Sequence, residues 1–455
     1  MGTRKRIVVV GGDAAGMSAA STAKRAAGDD VEIIAFERGQ WTSYSACGIP
    51  YWVGGEVSSP HDLVARTPEE HRSRGIDVRL GTSVTSLDAD AGRVSVRDED
   101  GRESEVGYDD VVLATGAEPI VPDVPGVDAA GIHVVHTLDD GARVLADLDT
   151  TSKRVVIVGG GYVGLEMAEA GVHLGLDTTL ITRSGTPMTS LDPDMGNLVH
   201  DALVRDGIEV RTSCPARGFE VSDGRVVAVQ TDDGAIPADL VLLGVGVRAR
   251  SALADGAGLT TGAMGAIAVD SRQRADADRH VWAAGDCVET WHRLSQRRVF
   301  IPLGTHANKQ GLVLGRNLVG ADAEFPGVLG TAITKACSSE IARSGLGEND
   351  ARDAGFDVET VTVDATTRAG YFPGAEPMTI KMVADRRDRR LLGAQIVGGA
   401  GAAKRIDTVA TALWGGFSVD DVMFSDLSYA PPFSGVWDPV QAAARALSSR
   451  LGPAR

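Results

Sequence analysis

Two stretches of this chain follow one local plan: a buried strand, a glycine turn, a helix and a second strand. The first runs Ile7-Val8-Val9-Val10-Gly11-Gly12-Asp13-Ala14-Ala15-Gly16, passes through a small-residue helix and reaches a strand ending at Glu37. The second runs Val155-Val156-Ile157-Val158-Gly159-Gly160-Gly161-Tyr162-Val163-Gly164, and its following strand spans Thr178–Thr182. A glycine turn between strand and helix lets backbone N–H groups and the positive end of the helix meet a pyrophosphate. One such loop is a weak signal, because glycine serves ordinary turns. Two in register, each with its strands and helix, predict two dinucleotide-binding units.

The loops are unequal. In the first, Asp13 replaces the middle glycine, but Glu37 stands 21 residues after Gly16, where a carboxylate accepts from a ribose hydroxyl. Gly11, Gly12, Ala15, Gly16 and Glu37 are therefore the expected contacts of the first dinucleotide. The second loop has Gly159, Gly161 and Gly164 complete, and its strand ends in Thr182-Arg183-Ser184. No carboxylate is present there to repel a 2′-phosphate, and Arg183 can pair with one, so NADPH is expected ahead of NADH.

Punctuation along the chain sets the domains. Thr67-Pro68-Glu69-Glu70 predicts a capped helix start, and Val84–Leu87 with Arg93–Arg97 a hairpin. The strand Val111–Leu113 runs into Ala114-Thr115-Gly116, and a Pro-rich connector spans Pro119 to Pro125. After the second unit come Val226–Thr231, the strand Leu240–Leu243, Gly244-Val245-Gly246, and then Val281-Trp282-Ala283-Ala284-Gly285-Asp286. Pro302–Leu318 predicts a helix whose N-terminus lies near Thr305, and from about Gly327 strands and helices follow without a nucleotide loop. The expected fold is α/β, with residues 122–243 inserted between 1–121 and 244–326, and a separate domain at 327–455.

Charge and composition exclude other classes. The net charge is −17, with no basic run beyond Arg4-Lys5-Arg6 and the Arg386–Arg390 cluster, which argues against nucleic acid as a partner. No apolar stretch approaches the roughly 20 residues of a membrane helix. The N-terminus runs directly into a strand pattern without a leader, which predicts a cytoplasmic protein. The four cysteines, Cys47, Cys214, Cys287 and Cys337, have neither CxxC nor metal-ligand spacing, so neither a disulfide framework nor a metal site is expected.

Four marks in order, Gly11–Gly16 with Glu37, Ala114-Thr115-Gly116, Gly159–Gly164 and Ala284-Gly285-Asp286, resemble the flavoprotein pyridine nucleotide-disulfide oxidoreductases. The resemblance implies two Rossmann-like domains, the NAD(P) domain inserted in the FAD domain, and an α+β C-terminal dimerisation domain, hence a homodimer. It implies that Asp286 holds the FAD ribityl and phosphate region and that the helix near Thr305 points at the flavin pyrimidine. Thr115, Gly116, Gly246, Gly285, Thr305 and Ala307 join the implied cofactor contacts. Tyr162 resembles the ring that covers the nicotinamide pocket, and Glu166 the residue that orients the nicotinamide amide.

Within that family the segment Ser43-Tyr44-Ser45-Ala46-Cys47-Gly48-Ile49-Pro50-Tyr51 is similar to the single-cysteine branch: coenzyme A-disulfide reductases, NADH oxidases and NADH peroxidases. One cysteine suffices for disulfide reduction when the second sulfur belongs to the substrate. The first loop lacks the histidine that peroxidases and many oxidases carry. Arg368–Gly374 and Leu427–Phe433 instead match the segments through which coenzyme A-disulfide reductases supply tyrosines from the partner subunit. The implied catalytic residues are Cys47, Tyr429 and Tyr371. The implied substrate contacts are Lys24, Arg25 and Ser43, with Ser43 also near the cofactor. The resemblance thus implies reduction of coenzyme A disulfide or a related small disulfide or persulfide, with coenzyme A as substrate or covalent adduct. An NAD(P)H oxidase cycling through a cysteine sulfenic acid and a slow flavoprotein redox sensor are the alternatives.

Overall fold

The computed structural model describes residues 4–148 and 152–453. Lys5–Val10 lies inside a six-stranded sheet, flanked in parallel by Val31–Phe36 and Asp110–Leu113. Ile76–Arg79 extends one side, and Val281–Ala283 followed by Arg274–Asp276 extends the other. Segments from before and after the second glycine loop therefore share one sheet. The four residues Ile7–Val10 are buried because both faces of the sheet are covered, which is why they read as an unbroken apolar run. Ile7 and Val9 pack against helices that include Ala19 and Leu314, while Val8 and Val10 pack against Leu87, Val94 and Val96 of a three-stranded antiparallel sheet.

The second unit repeats this arrangement. Arg154–Val158 lies between Asp177–Ile181 and Leu240–Leu243, with Glu209–Arg211 and Ile132–Val134 at the edges, all parallel. The C-terminal third is an antiparallel sheet of Ala332–Ala336, Ser339–Gly345, Leu391–Gly398, Pro377–Asp385 and Val358–Thr366. Helix Pro439–Leu451 buries Val440, Ala443 and Leu447 in the same core as Ile380 and Met382.

Four helices position the site: α1 (Ala14–Ala27), α2 (Ile49–Val53), α3 (Tyr162–His173) and α4 (Gly304–Asn317). α1 and α4 cross closely, since a Cβ on Gly311 would stand 2.4 Å from the Ala15 carbonyl and one on Gly315 2.5 Å from that of Ala19. The small-residue composition of α1 is thus a packing requirement. The predicted capping box forms, with Thr67 N donating to Glu70 Oε2 at 2.7 Å and Glu70 N to Thr67 Oγ1 at 3.3 Å.

Two expectations needed correction. The hairpin gains a third strand, Glu103–Gly107, paired with Arg93–Arg97. Its sequence alternates weakly because most of its residues are exposed. The helix expected from Pro302 begins at Gly304, because Leu303 is extended at φ −141° and ψ 134°.

A buried ion network joins the inserted unit to the C-terminal sheet. Lys381 Nζ lies 3.0 Å from Asp192 Oδ2, 2.9 Å from Asp194 Oδ1 and 2.9 Å from Glu348 Oε2. Asp192 also accepts from Gln395 Nε2 at 2.8 Å. Burial alone would lower the Lys381 pKa, and the three carboxylates overcome it and raise it. Among the described residues no helix is long and apolar enough to cross a membrane.

Candidate active site

The glycines of the two loops divide into packing and open positions. Gly11 has φ +114°, and a Cβ there would stand 2.1 Å from the Ala114 carbonyl. A Cβ on Gly16 would stand 2.1 Å from the Gly11 carbonyl, so α1 starts pressed against its own loop. The second loop repeats this: Gly159 would meet the Gly244 carbonyl at 2.2 Å, and Gly164 the Gly159 carbonyl at 1.9 Å. Gly161 meets nothing within 4 Å and leaves the start of α3 open to a ligand.

Glu37 reaches back to the first loop, accepting from Gly12 N and Gly39 N at 2.8 Å each. Asp13, at the N-cap of α1, caps nothing; its Oδ1 accepts from Tyr44 N at 3.2 Å. Burial pushes the Asp13 carboxyl up to about 7; the Tyr44 N–H opposes this, while Glu37 and Asp286 add to it. Asp286 is pushed up to about 6 by burial alone, with no offsetting hydrogen bond. Gly285 N donates to Gln310 Oε1 of α4 at 2.8 Å, and Ala307 is buried beside it. Thr305 is exposed at the start of α4, whose N-cap Leu303 offers no side-chain cap.

These residues fit FAD. A glycine loop at a helix start, the Glu37 carboxylate in ribose position, the half-buried Asp286 carboxylate with no donor and the uncapped start of α4 match diphosphate, hydroxyls and an electron-rich ring. Thr115 Oγ1 is engaged, donating to the Arg250 carbonyl at 2.6 Å, while Gly116 at φ +70° has open space beside it. Gly246, at φ +111°, uses its carbonyl to accept from Ile120 N at 2.9 Å, where the chain returns to the first unit.

The cysteine segment is stitched to the first phosphate loop. The Gly12 carbonyl accepts from the Thr42 hydroxyl and from Ser43 N, and Asp13 holds Tyr44. Ser43 has φ +50°, and its hydroxyl lies 2.9 Å from Nε2 of the fully buried His71. Burial pushes His71 down to about 4, with Arg66 and Arg74 adding to the effect, so the ring is neutral. The roles of Thr42, Asp13 and His71 had no sequence signal beyond Asp13's departure from glycine.

Cys47 follows on a 3₁₀ turn, Ala46–Gly48, that leads into α2. It is exposed, whereas Cys214 and Cys287 are buried. Partial enclosure and then the carboxylates of Glu166, Asp286 and Asp13 raise its thiol pKa. Among the described residues the charged groups that shift Cys47 are carboxylates, which disfavour its thiolate. Glu166 on α3 is pushed to about 7 by burial, against a 2.8 Å hydrogen bond from Thr334 Oγ1. Burial also raises the Tyr162 phenol. Arg183 is exposed and has no ion pair among the described residues.

The remaining expected residues lie elsewhere. Lys24 turns its ammonium to the Val31 carbonyl at 3.3 Å and to Asp29 at 3.5 Å, near the C-terminal end of α1, and Arg25 beside it is exposed. Tyr371 is 78% exposed, and its phenol raises the pKa of Tyr429. Tyr429, Phe424, Phe433, Val436 and Trp437 are exposed as well. Among the described residues no hydrogen bond joins either tyrosine to Cys47.

Residues 5–311 match the pyridine nucleotide-disulphide oxidoreductases, and residues 331–440 match the dimerisation domain of the same proteins. The NAD(P)H coenzyme A polysulfide/persulfide reductase of Pyrococcus horikoshii is 40% identical over 448 residues, 98% of each chain. Reduced CoADR-RHD of Bacillus anthracis superposes with a TM-score of 0.94 at 32% identity, covering 99% of this chain and 81% of that one. A NAD-dependent persulfide reductase from A. fulgidus gives 0.94 at 36% identity, covering 98% and 84%. The chain therefore belongs to the pyridine nucleotide-disulphide oxidoreductase family and is an FAD-dependent NAD(P)H oxidoreductase.

Proposed function

We propose that this oxidoreductase reduces coenzyme A disulfide, or a related low-molecular-weight disulfide or persulfide, through Cys47. The observation that carries the reading is the placement of Cys47: exposed, and on a segment stitched to the first phosphate loop by Thr42, Ser43 and Tyr44. The names borne by the P. horikoshii and B. anthracis relatives support the choice of substrate class. FAD, when bound, accepts hydride from the nicotinamide and delivers an electron pair to a neighbouring sulfur.

Gly11, Gly12, Gly16, Glu37, Thr115, Gly116, Gly285, Asp286 and the start of α4 hold the FAD in this reading. Gly159, Gly161 and Gly164 receive the nicotinamide dinucleotide, with Tyr162 and Glu166 beside its ring. Exposed and unpaired, Arg183 favours a 2′-phosphate, which makes NADPH the preferred donor.

The Cys47 thiolate attacks one sulfur of the substrate. The substrate S–S bond breaks, a Cys47–substrate disulfide forms, and the first thiol leaves with a proton. Two electrons and a second proton then cleave the mixed disulfide, releasing the second thiol and restoring Cys47. Each thiolate that leaves requires a proton donor. Tyr371 and Tyr429 of the facing subunit fill that role in a homodimer, and the raised Tyr429 pKa keeps its phenol protonated.

The test is the Cys47→Ser protein, assayed with coenzyme A disulfide and each nicotinamide. It should retain FAD and be reduced by NADPH, yet lose disulfide turnover by at least about 10³-fold. In the unaltered protein NADPH should show the lower KM. Undiminished disulfide turnover in the variant would sink the mechanism. Faster reoxidation of the reduced protein by O₂ than by coenzyme A disulfide would make it an oxidase.

A further inference from the structure

A cluster of candidate metal ligands lies outside the machinery just described. Glu56, just beyond α2, meets Glu169 and His173 on the last turns of α3. One carboxylate oxygen of each glutamate and a ring nitrogen of His173 lie within 4.8 Å of one another. Nδ1 of His173 is 3.2 Å from Oε1 of Glu56. Glu169 and His173 are spaced i, i+4, which brings two side chains to one helix face, as helix-borne metal sites require.

Glu169 supplies the second observation. It is 2% exposed, and its Oε1 takes the ammonium of Lys335. Its other oxygen, Oε2, is buried without any hydrogen-bond partner. An orphaned buried carboxylate oxygen is costly, and buried charges persist where they are paired or coordinate a metal. Glu56 and His173 are both exposed, so water can complete a coordination shell.

The chemistry selects the ion. Two carboxylates against one ammonium leave the cluster net negative while His173 is neutral, which favours a dication. An imidazole with two carboxylates and no thiolate suits zinc and neighbouring first-row ions, whereas magnesium and calcium favour an all-oxygen shell. We propose that Glu56, Glu169 and His173 form a binding site for a zinc-class divalent cation, one that braces α2 against α3. α2 begins beside Cys47, while α3 opens at the second nucleotide loop and carries Glu166. A cation at this point therefore fixes the spacing between the reactive thiol's helix and the nicotinamide helix. It also draws Glu169 away from Lys335 at the start of the C-terminal sheet.

Calorimetric titration of the FAD-loaded protein with Zn²⁺ tests this. Uptake of one ion per chain is expected, and the Cys47→Ser/Cys337→Ser protein should bind equally well. His173→Ala and Glu56→Gln should each weaken binding by more than about tenfold, while leaving metal-free disulfide turnover and thermal stability unchanged. Mg²⁺ should give no signal at the same concentrations. Absence of uptake, retention of full affinity in His173→Ala, or loss of binding in the double cysteine variant would each overturn the assignment. None of these outcomes depends on the identity of the disulfide substrate.

Discussion

Asp13 stands in the first glycine loop, at the N-cap of α1, where a helix start favours an anionic ligand. Its carboxyl titrates near 7, with Glu37, Asp286 and the Tyr44 N–H as its surroundings. An ionised Asp13 repels the FAD pyrophosphate, and a protonated one does not, so FAD binding takes up a proton. Stability gained from a raised carboxylate pKa is present at low pH and lost as pH rises through that value. FAD should therefore dissociate more readily above pH 7, by up to about tenfold per pH unit. Asp13→Asn should flatten that slope. Flavin fluorescence on release, followed from pH 6 to 9, measures both, and equal slopes would exonerate Asp13. At this scale the sequence was only partly readable. Asp13 was visible as a departure from glycine, but its bond to Tyr44 and its burial were not. Lys24 was visible as a basic residue, while its commitment to Val31 and Asp29 depends on how the end of α1 folds.

Helix α3 separates two reasons for keeping glycine. Gly164→Ala would drive a Cβ to 1.9 Å from the Gly159 carbonyl, whereas Gly161→Ala meets nothing within 4 Å. Gly164→Ala should thus destabilise the inserted unit by about 1–3 kcal/mol or more, read as a lower midpoint in urea. Gly161→Ala should unfold as the unaltered protein does but lose NADPH affinity, because its methyl group enters the ligand's space. A single common phenotype would mean that the two glycines serve the same purpose. Strand–loop–helix units are legible because their apolar runs and glycines are local. The three-stranded sheet ending at Glu103–Gly107 is less so, since an exposed strand leaves little alternation to read. Of the Glu56–Glu169–His173 cluster only the i, i+4 spacing of Glu169 and His173 is legible in the sequence, because Glu56 comes from a unit far away in the chain.

At the scale of the whole molecule, Tyr371, Phe424, Phe433, Val436 and Trp437 of the C-terminal part are all exposed. So much exposed aromatic area marks an interaction surface. Phe424→Asp should place a charge in the dimer interface and give a monomer by size exclusion. That monomer should keep FAD but lose disulfide turnover, because the tyrosines of a facing subunit are gone. A monomer with full turnover would show that each chain completes its own site. The dimerisation domain is legible only through family resemblance, as the composition of an antiparallel sheet does not reveal which face stays uncovered. Lys381, buried among Asp192, Asp194 and Glu348, has a mechanical consequence. Swinging the inserted unit away from the C-terminal sheet would strand that ammonium or its carboxylates, at about 3–5 kcal/mol. The protein is thus a rigid chassis rather than a pair of jaws. Traffic at its two cofactor berths then falls to parts smaller than a domain.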